Sequence, residues 1–276
     1  MNLKSIKNLQ SKVQILRKNI LNMIYYAGSG HPGGSLSCID ILTCLYFFEM
    51  RVRPKQPDWK NRDRFILSKG HACPALYAVL GEKGFFSKAN FKKLRHINAM
   101  LQGHPDRLKT PGVDFNSGSL GQGFSFGIGV ALGAKITKRK FRVYVVTGCG
   151  ELDEGQLWEG ALFASHNNLD NLMVFIDYNK LQSDDYNKNI LNLEPLKDKW
   201  IAFGWNVLEI NGHNIKEILT VLDRAKSIKD KPTICIAHTI KGKGISFMEN
   251  KPKWHGSLAP TKTELKIALR DLNEKQ

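Results

Sequence analysis

The 276-residue sequence has no cysteines at C-x-x-C spacing, no apolar run long enough to cross a bilayer, and far fewer acidic than basic side chains. Each shortage excludes something. The five cysteines, Cys38, Cys44, Cys73, Cys149 and Cys235, are scattered, which excludes the paired spacing of a structural zinc site and the regular framework of a small secreted domain. Free thiols in a reducing compartment are expected. The longest apolar stretches, such as Ile39 to Phe48, are short and interrupted, and Met1 to Lys12 lacks the hydrophobic region of a signal peptide. A cytoplasmic protein without membrane contact is the expectation. Against 41 Lys and Arg stand 25 Asp and Glu, a formal charge of +16. Such an excess attracts any polyanion: nucleic acid, a phosphorylated metabolite, a diphosphate cofactor or an acidic partner protein. The cations are spread over Lys4 to Lys18, Arg51 to Arg64, Lys135 to Arg142 and Lys241 to Lys253, with no zinc-finger, RNA-recognition or helix-turn-helix pattern beside them. Specific nucleic-acid binding is therefore not expected.

What is present reads as one soluble α/β domain over residues 1–276, with a helical tail from about Pro260. Four runs rich in β-branched and aromatic residues, Arg142 to Thr147, Leu172 to Asp177, Asn206 to Ile210 and Thr233 to His238, have the continuous apolar character of buried parallel strands. Arg64 to Ser68 is a weaker fifth. Helical patterns lie between them at Glu154 to Asn168, after Pro195, and at Asn214 to Ser227, and an amino-terminal helix over Ile6 to Tyr26 leads into a glycine-rich loop, Gly28 to Gly34. Alternating strands and helices imply a mostly parallel central sheet flanked by helices, whose ligands bind at the carboxyl ends of the strands. The glycine- and alanine-rich run Gly121 to Ala134 reads as a helix packed closely against a neighbour, across a subunit interface.

Two strand ends carry chemistry. Val145 to Glu151 (Val-Val-Thr-Gly-Cys-Gly-Glu) runs from strand through glycines into a helix, so that backbone N–H groups can approach a phosphate at the helix's positive end. Alone this also fits a tight turn. The strand end Ile176-Asp177-Tyr178-Asn179-Lys180 delivers further polar groups to the same edge. Four histidines, His31, His71, His104 and His255, sit in glycine- or proline-flanked contexts, which points to site residues; His96, His166, His213 and His238 have no such context and read as structural.

In this order and separation the two strand ends resemble the thiamine-diphosphate motif, a Gly-Asp-Gly followed about one β-α-β unit later by an asparagine. Ser29-Gly30-His31-Pro32-Gly33, Ser68-Lys69-Gly70-His71-Ala72, Gly103-His104-Pro105 and Gly118-Ser119-Leu120-Gly121-Gln122-Gly123 match transketolase motifs in order, and Lys241-Gly242-Lys243-Gly244 and Trp254-His255-Gly256 complete the set. The sequence looks most like the amino-terminal half of split transketolases, in which diphosphate-binding and pyrimidine-binding domains are separate polypeptides. The resemblance implies a thiamine-diphosphate-binding fold and transfer of a two-carbon ketol unit from a ketose phosphate to an aldose. It places His71 and His255 near the diphosphate with Gly148, Gly150, Glu151 and Asn179, and Gly118 and Leu120 along the cofactor rings. His31, His104 and His255 are the implied catalytic residues, contacting sugar hydroxyls and moving protons. The family's pyrimidine-contacting glutamate belongs to the other domain, so an (αβ)₂ assembly with a carboxy-terminal partner subunit is implied. The His31-Pro32-Gly33 and Trp254-His255-Gly256 contexts favour transketolase over the related 1-deoxyxylulose-5-phosphate synthases and two-oxoacid dehydrogenases.

The same resemblance implies a magnesium or calcium ion bridging the diphosphate, held by Asn179, the backbone carbonyl of Leu181 and the central residue of Gly-Asp-Gly. Here that residue is Cys149. Hard divalent ions want oxygen ligands, and a thiol is a soft substitute. Asp153 and Asp185 are conceivable replacements, and Ser183 and Asp185 depart from the apolar residue and the glycine usual at their positions. A non-catalytic paralogue that pairs with or regulates a partner is the alternative these departures leave open.

Overall fold

The β-branched runs form strands within one residue of where the sequence puts them, in a computed structural model that describes residues 3–274. They are β1 (Arg64–Leu67), β2 (Val143–Gly148), β3 (Leu172–Tyr178), β4 (Asn206–Asn211) and β5 (Thr233–His238). All pair in parallel, in the order β1-β2-β3-β5-β4. The helices of the described residues are, in chain order, α1 (Leu3–Ala27), α2 (Pro32–Cys44), α3 (Cys73–Lys83), α4 (Gln122–Ile136), α5 (Gly155–His166), α6 (Asn187–Ile190), α7 (Leu196–Ala202), α8 (Ile215–Ser227) and α9 (Lys262–Glu274).

Because successive strand side chains point to opposite faces, each strand feeds two cores. Phe65, Leu67, Tyr144, Val146, Met173, Phe175 and Cys235 face the layer built by α1, α2, α3, α8 and α9. Ile66, Val143, Val145, Val174, Ile234 and Ile236 face α4, α5 and α7. Both faces are covered along β2, β3 and β5, which is why these strands are buried along nearly their whole length, whereas the edge strand β4 keeps exposed Glu209 and Asn211.

The loop expected over Gly28 to Gly34 is corrected: it ends at His31, and Pro32 opens α2. Proline suits a first helical turn, where its missing N–H would have had no partner. Gly33 is required by close approach, since a Cβ there would stand 2.6 Å from the Trp254 carbonyl oxygen. Every residue of α2 is buried, so the helix has no polar face and no helical period to read. Residues 121–134 form most of α4, and Pro260 precedes α9 as expected. Among the described residues no helix is long and apolar enough to cross a membrane.

Candidate active site

The carboxyl ends of β1, β2, β3 and β5 open onto a cleft of about 740 Å³, in the size range of small-molecule sites. His31, His71, Gly118, Leu120, Gly148, Cys149, Gly150, Glu151, Asn179, Leu181 and His255 all line it. His104 sits at its margin, where a Cβ on Gly118 would stand 3.7 Å from the imidazole. His213 and His238 are tied up elsewhere, with Asp40 and Glu209.

Three histidines converge although they are far apart in sequence. The ring centroids of His31 and His71 are 5.1 Å apart, those of His71 and His255 5.4 Å, and those of His31 and His255 6.1 Å. Gly256 makes this possible, because a Cβ there would meet the His31 ring at 2.6 Å. Burial, reinforced by Arg95, lowers the His31 pKa from 6.5 to about 4; burial and Lys241 lower that of His255 to about 3. His71 lies well below its ordinary value through burial and Lys69, and His104 is lowered by burial and Arg95. At neutral pH the rings are uncharged.

Their tautomers are set by cations, which only donate. Arg95 Nη2 lies 3.4 Å from His31 Nδ1, and Lys241 Nζ lies 2.5 Å from His255 Nδ1. Both Nδ1 atoms therefore accept, and both Nε2 atoms carry the proton. Each ring is a neutral N–H donor fixed in one form.

A buried ion pair anchors the strand ends. Lys69 Nζ donates to Asp177 Oδ2 at 2.6 Å and to the Gly34 carbonyl at 2.8 Å. Asp177 also accepts from Ser37 and Thr239 at 2.5 Å and from Asn179 Nδ2 at 3.0 Å. Burial opposes both charges, but the partners outweigh it, raising the Lys69 pKa and lowering that of Asp177. Glu151 acts likewise as a brace, accepting from Ser68 Oγ and from the N–H groups of Gly121 at 2.8 Å and Gly148 at 3.1 Å. Its carboxylate joins three loops.

The cleft suits a diphosphate-bearing cofactor: Lys69 and Lys241 line it together with glycines 148 and 150, whose backbone begins a helical turn. A divalent ion fits poorly. The Cys149 thiol is buried, 3.7 Å from Asn179 Oδ1 and 3.8 Å from Asn187 Oδ1. Asn179 Oδ1 accepts from the Leu181 N–H at 3.2 Å, and the Leu181 carbonyl accepts from Lys241 Nζ at 2.8 Å. The expected ligands thus already have partners. Asp153 is outside the lining and accepts from Gln182 Nε2 at 2.8 Å; exposed Asp185 bonds Asn189 and the Tyr186 N–H. Neither replaces a carboxylate at position 149. Among the described residues there is no group of three or more His, Cys, Asp or Glu that could hold a metal.

Sequence reasoning assigned no role to Lys69, Asp177, Lys241 or Arg95. Lys69 and Lys241 stand inside the motifs that carried the resemblance, so motif membership was the available signal. Arg95 has none, and reaches Ser29 Oγ at 2.8 Å as well as His31 across 64 residues.

The chain as a whole is similar to known proteins. The model of the transketolase, thiamine diphosphate binding domain, matches residues 8–270. Over 267 residues the chain is 45% identical to the 6-deoxy-6-sulfo-D-fructose transketolase subunit SqwG of Clostridium sp. (strain MSTE9), covering 97% of each chain. It is 40% identical over 270 residues to an apulose-4-phosphate transketolase subunit of Phocaeicola vulgatus, covering 98% of this chain and 95% of that one. The crystal structure of transketolase from Campylobacter jejuni matches with a TM-score of 0.93 at 34% identity, over 99% of this chain and 43% of that one. The chain belongs to the transketolase family and has the fold of its thiamine diphosphate binding domain.

Proposed function

We propose that the chain is the diphosphate-binding subunit of a transketolase and moves a two-carbon ketol unit from a ketose phosphate to an aldose, together with a pyrimidine-domain partner. The observation that carries this reading is the convergence of His31, His71 and His255 with two buried lysines on one cleft at the strand ends. Two of the relatives are named as transketolase subunits and match this chain nearly end to end. That favours a working subunit over a non-catalytic paralogue.

Thiamine diphosphate, when bound, supplies the electron sink for breaking and forming a carbon–carbon bond beside a carbonyl. This chain's residues bind, orient and move protons. Lys69 and Lys241, with the N–H groups around Gly148 and Gly150, hold the diphosphate end, and His71 borders it. Gly118 and Leu120 border the rings. His31 and His255 present neutral Nε2–H groups to sugar hydroxyls, and His104 extends this polar wall beside Gly118. Neutral imidazoles suit that work, because each offers an Nε2–H to a sugar oxygen while its Nδ1 stays held by its cation.

Partner binding is supported by α4. Its outward side carries Phe126, Gly129, Val130, Leu132, Gly133 and Ile136, none fully buried, although the helix is apolar all round. Nearby α5 exposes Leu162 and Phe163. Apolar surface of this extent marks an interface, and we assign it to an (αβ)₂ assembly in the cytoplasm. The excess positive charge serves anionic ligands rather than nucleic acid. The test is ketol transfer by the chain alone and after addition of a carboxy-terminal transketolase subunit. Activity should appear only in the mixture; robust turnover by the single chain would remove the need for a partner.

A further inference from the structure

Building on the cofactor reading above, we propose that this chain holds the diphosphate without a divalent metal, using the Lys241 ammonium seated against the carbonyl oxygens of Leu181 and Gln182. Lys241 Nζ donates to Leu181 O at 2.8 Å and to Gln182 O at 3.2 Å. Its positive charge therefore stands against the backbone oxygen that a divalent ion would need.

The lysine is fixed there. Its side chain is buried, and the chain is pinned on both sides: the Ile240 N–H donates to His213 Nε2 at 2.8 Å, the Gly242 N–H to the Gly33 carbonyl at 3.0 Å, and the Asn250 N–H to the Lys241 carbonyl at 2.9 Å. His213 is in turn held by Asp40 at 2.9 Å. A surface lysine can swing aside for an incoming ion; this one has no such freedom.

Cys149 makes the exchange consistent in charge. A divalent ion held by one carboxylate adds a net single positive charge to the diphosphate pocket, and so does an ammonium beside a neutral thiol. A carboxylate at position 149 would cancel the lysine, whereas the thiol leaves its charge to the diphosphate. The other buried cation, Lys69, is neutralised by Asp177 at 2.6 Å, so of the two buried lysines lining the cleft it is Lys241 whose charge is left for the ligand, beside the exposed Lys253. A hard ion added beside it would meet a soft thiol and a fixed positive charge.

The experiment is titration of thiamine diphosphate into the chain assembled with its partner subunit, by calorimetry, in EDTA and in magnesium. The dissociation constants should agree within about threefold, and Mn²⁺ added with the cofactor should stay free by electron paramagnetic resonance, since no ion site is formed. Tightening by magnesium of about tenfold or more, or one tightly bound Mn²⁺ per chain, would overturn the proposal while leaving the cofactor reading intact. Absence of binding in both conditions would overturn the two together. Lys241→Met should weaken binding in EDTA at least about tenfold: the ammonium's N–H groups are taken by Leu181 O, Gln182 O and His255 Nδ1, so what is lost is its positive charge beside the diphosphate. The double variant Lys241→Met, Cys149→Asp should make binding magnesium-dependent. Full affinity of a folded Lys241→Met protein in EDTA counts against the proposal, and if that variant does not fold, the wild-type comparison decides alone.

Discussion

On one side of the cleft the Asp177 carboxylate receives hydrogen bonds from Ser37, Lys69, Asn179 and Thr239, all between 2.5 and 3.0 Å. On the other, the Cys149 thiol has two amide oxygens at 3.7 and 3.8 Å. Both side chains are buried at the ends of neighbouring strands, yet one sits in a tight polar network and the other in loose contact. The difference follows from charge. A buried carboxylate is tolerable only when its lone pairs are matched, which constrains every element around it. A thiol behaves as a small apolar group with a weak donor and demands little. The Asp177 side of the pocket is thereby locked to the fold, and the Cys149 side is held by few constraints.

The comparison breaks first, if it breaks, under truncation. Asp177→Ala leaves Lys69 buried without its counter-ion and should cost about 3–5 kcal/mol in urea denaturation, whereas Cys149→Ala should cost about 1 kcal/mol. Equal costs would mean that the network is no tighter than the thiol contact. A smaller effect separates sugar side from cofactor side. In the assembled enzyme His104→Ala should lower turnover about a hundredfold, within the range for loss of a proton-transfer or hydroxyl-binding group, with cofactor affinity little changed; a parallel loss of affinity would move His104 to the cofactor.

The weakest effect is a slope with pH. Unfolded, His31, His71 and His255 take up protons near 6.5, but in the fold burial holds His31 near 4 and His255 near 3, with His71 also lowered. Between those values the unfolded chain binds more protons, so stability falls as pH drops. The contribution is complete above about 6.5 and lost progressively towards 3–4. Urea midpoints measured from about pH 7.5 down to about 4.5 should decline, and His31→Asn should flatten the curve; an unchanged slope in that variant would show that the ring protonates freely in the fold.

Much of this architecture was legible because it rests on local pattern. Continuous β-branched runs gave all five strands, and glycines at the end of β2 and before α4 marked backbone that lines the cleft. Pro32 to Cys44 was not legible as a helix, since burial on every side erases the polar face that makes a helix visible in sequence. Nor was the Lys69–Asp177 pair, which closes over 108 residues, or the inward turn of Lys241, which lies in a basic stretch that otherwise reads as solvated surface. Long-range pairing of charges is fixed by the way strands stack, and no spacing rule reports it. The cysteine at position 149 was visible as a chemical departure, but what answers it is visible only in three dimensions.

The outer side of α4 has a consequence for inheritance. Extra Cβ atoms at Gly129 and Gly133 would meet nothing within 4 Å in the chain itself, so the fold places no steric demand on these positions. Their smallness matters only to a surface that lies against them, where bare backbone allows a partner helix to approach more closely than the usual distance of about 8–10 Å between axes. With α4 as the interface proposed above, variation there would leave the individual chain sound and act on its union with the partner subunit, where a complementary change in that partner could repair it.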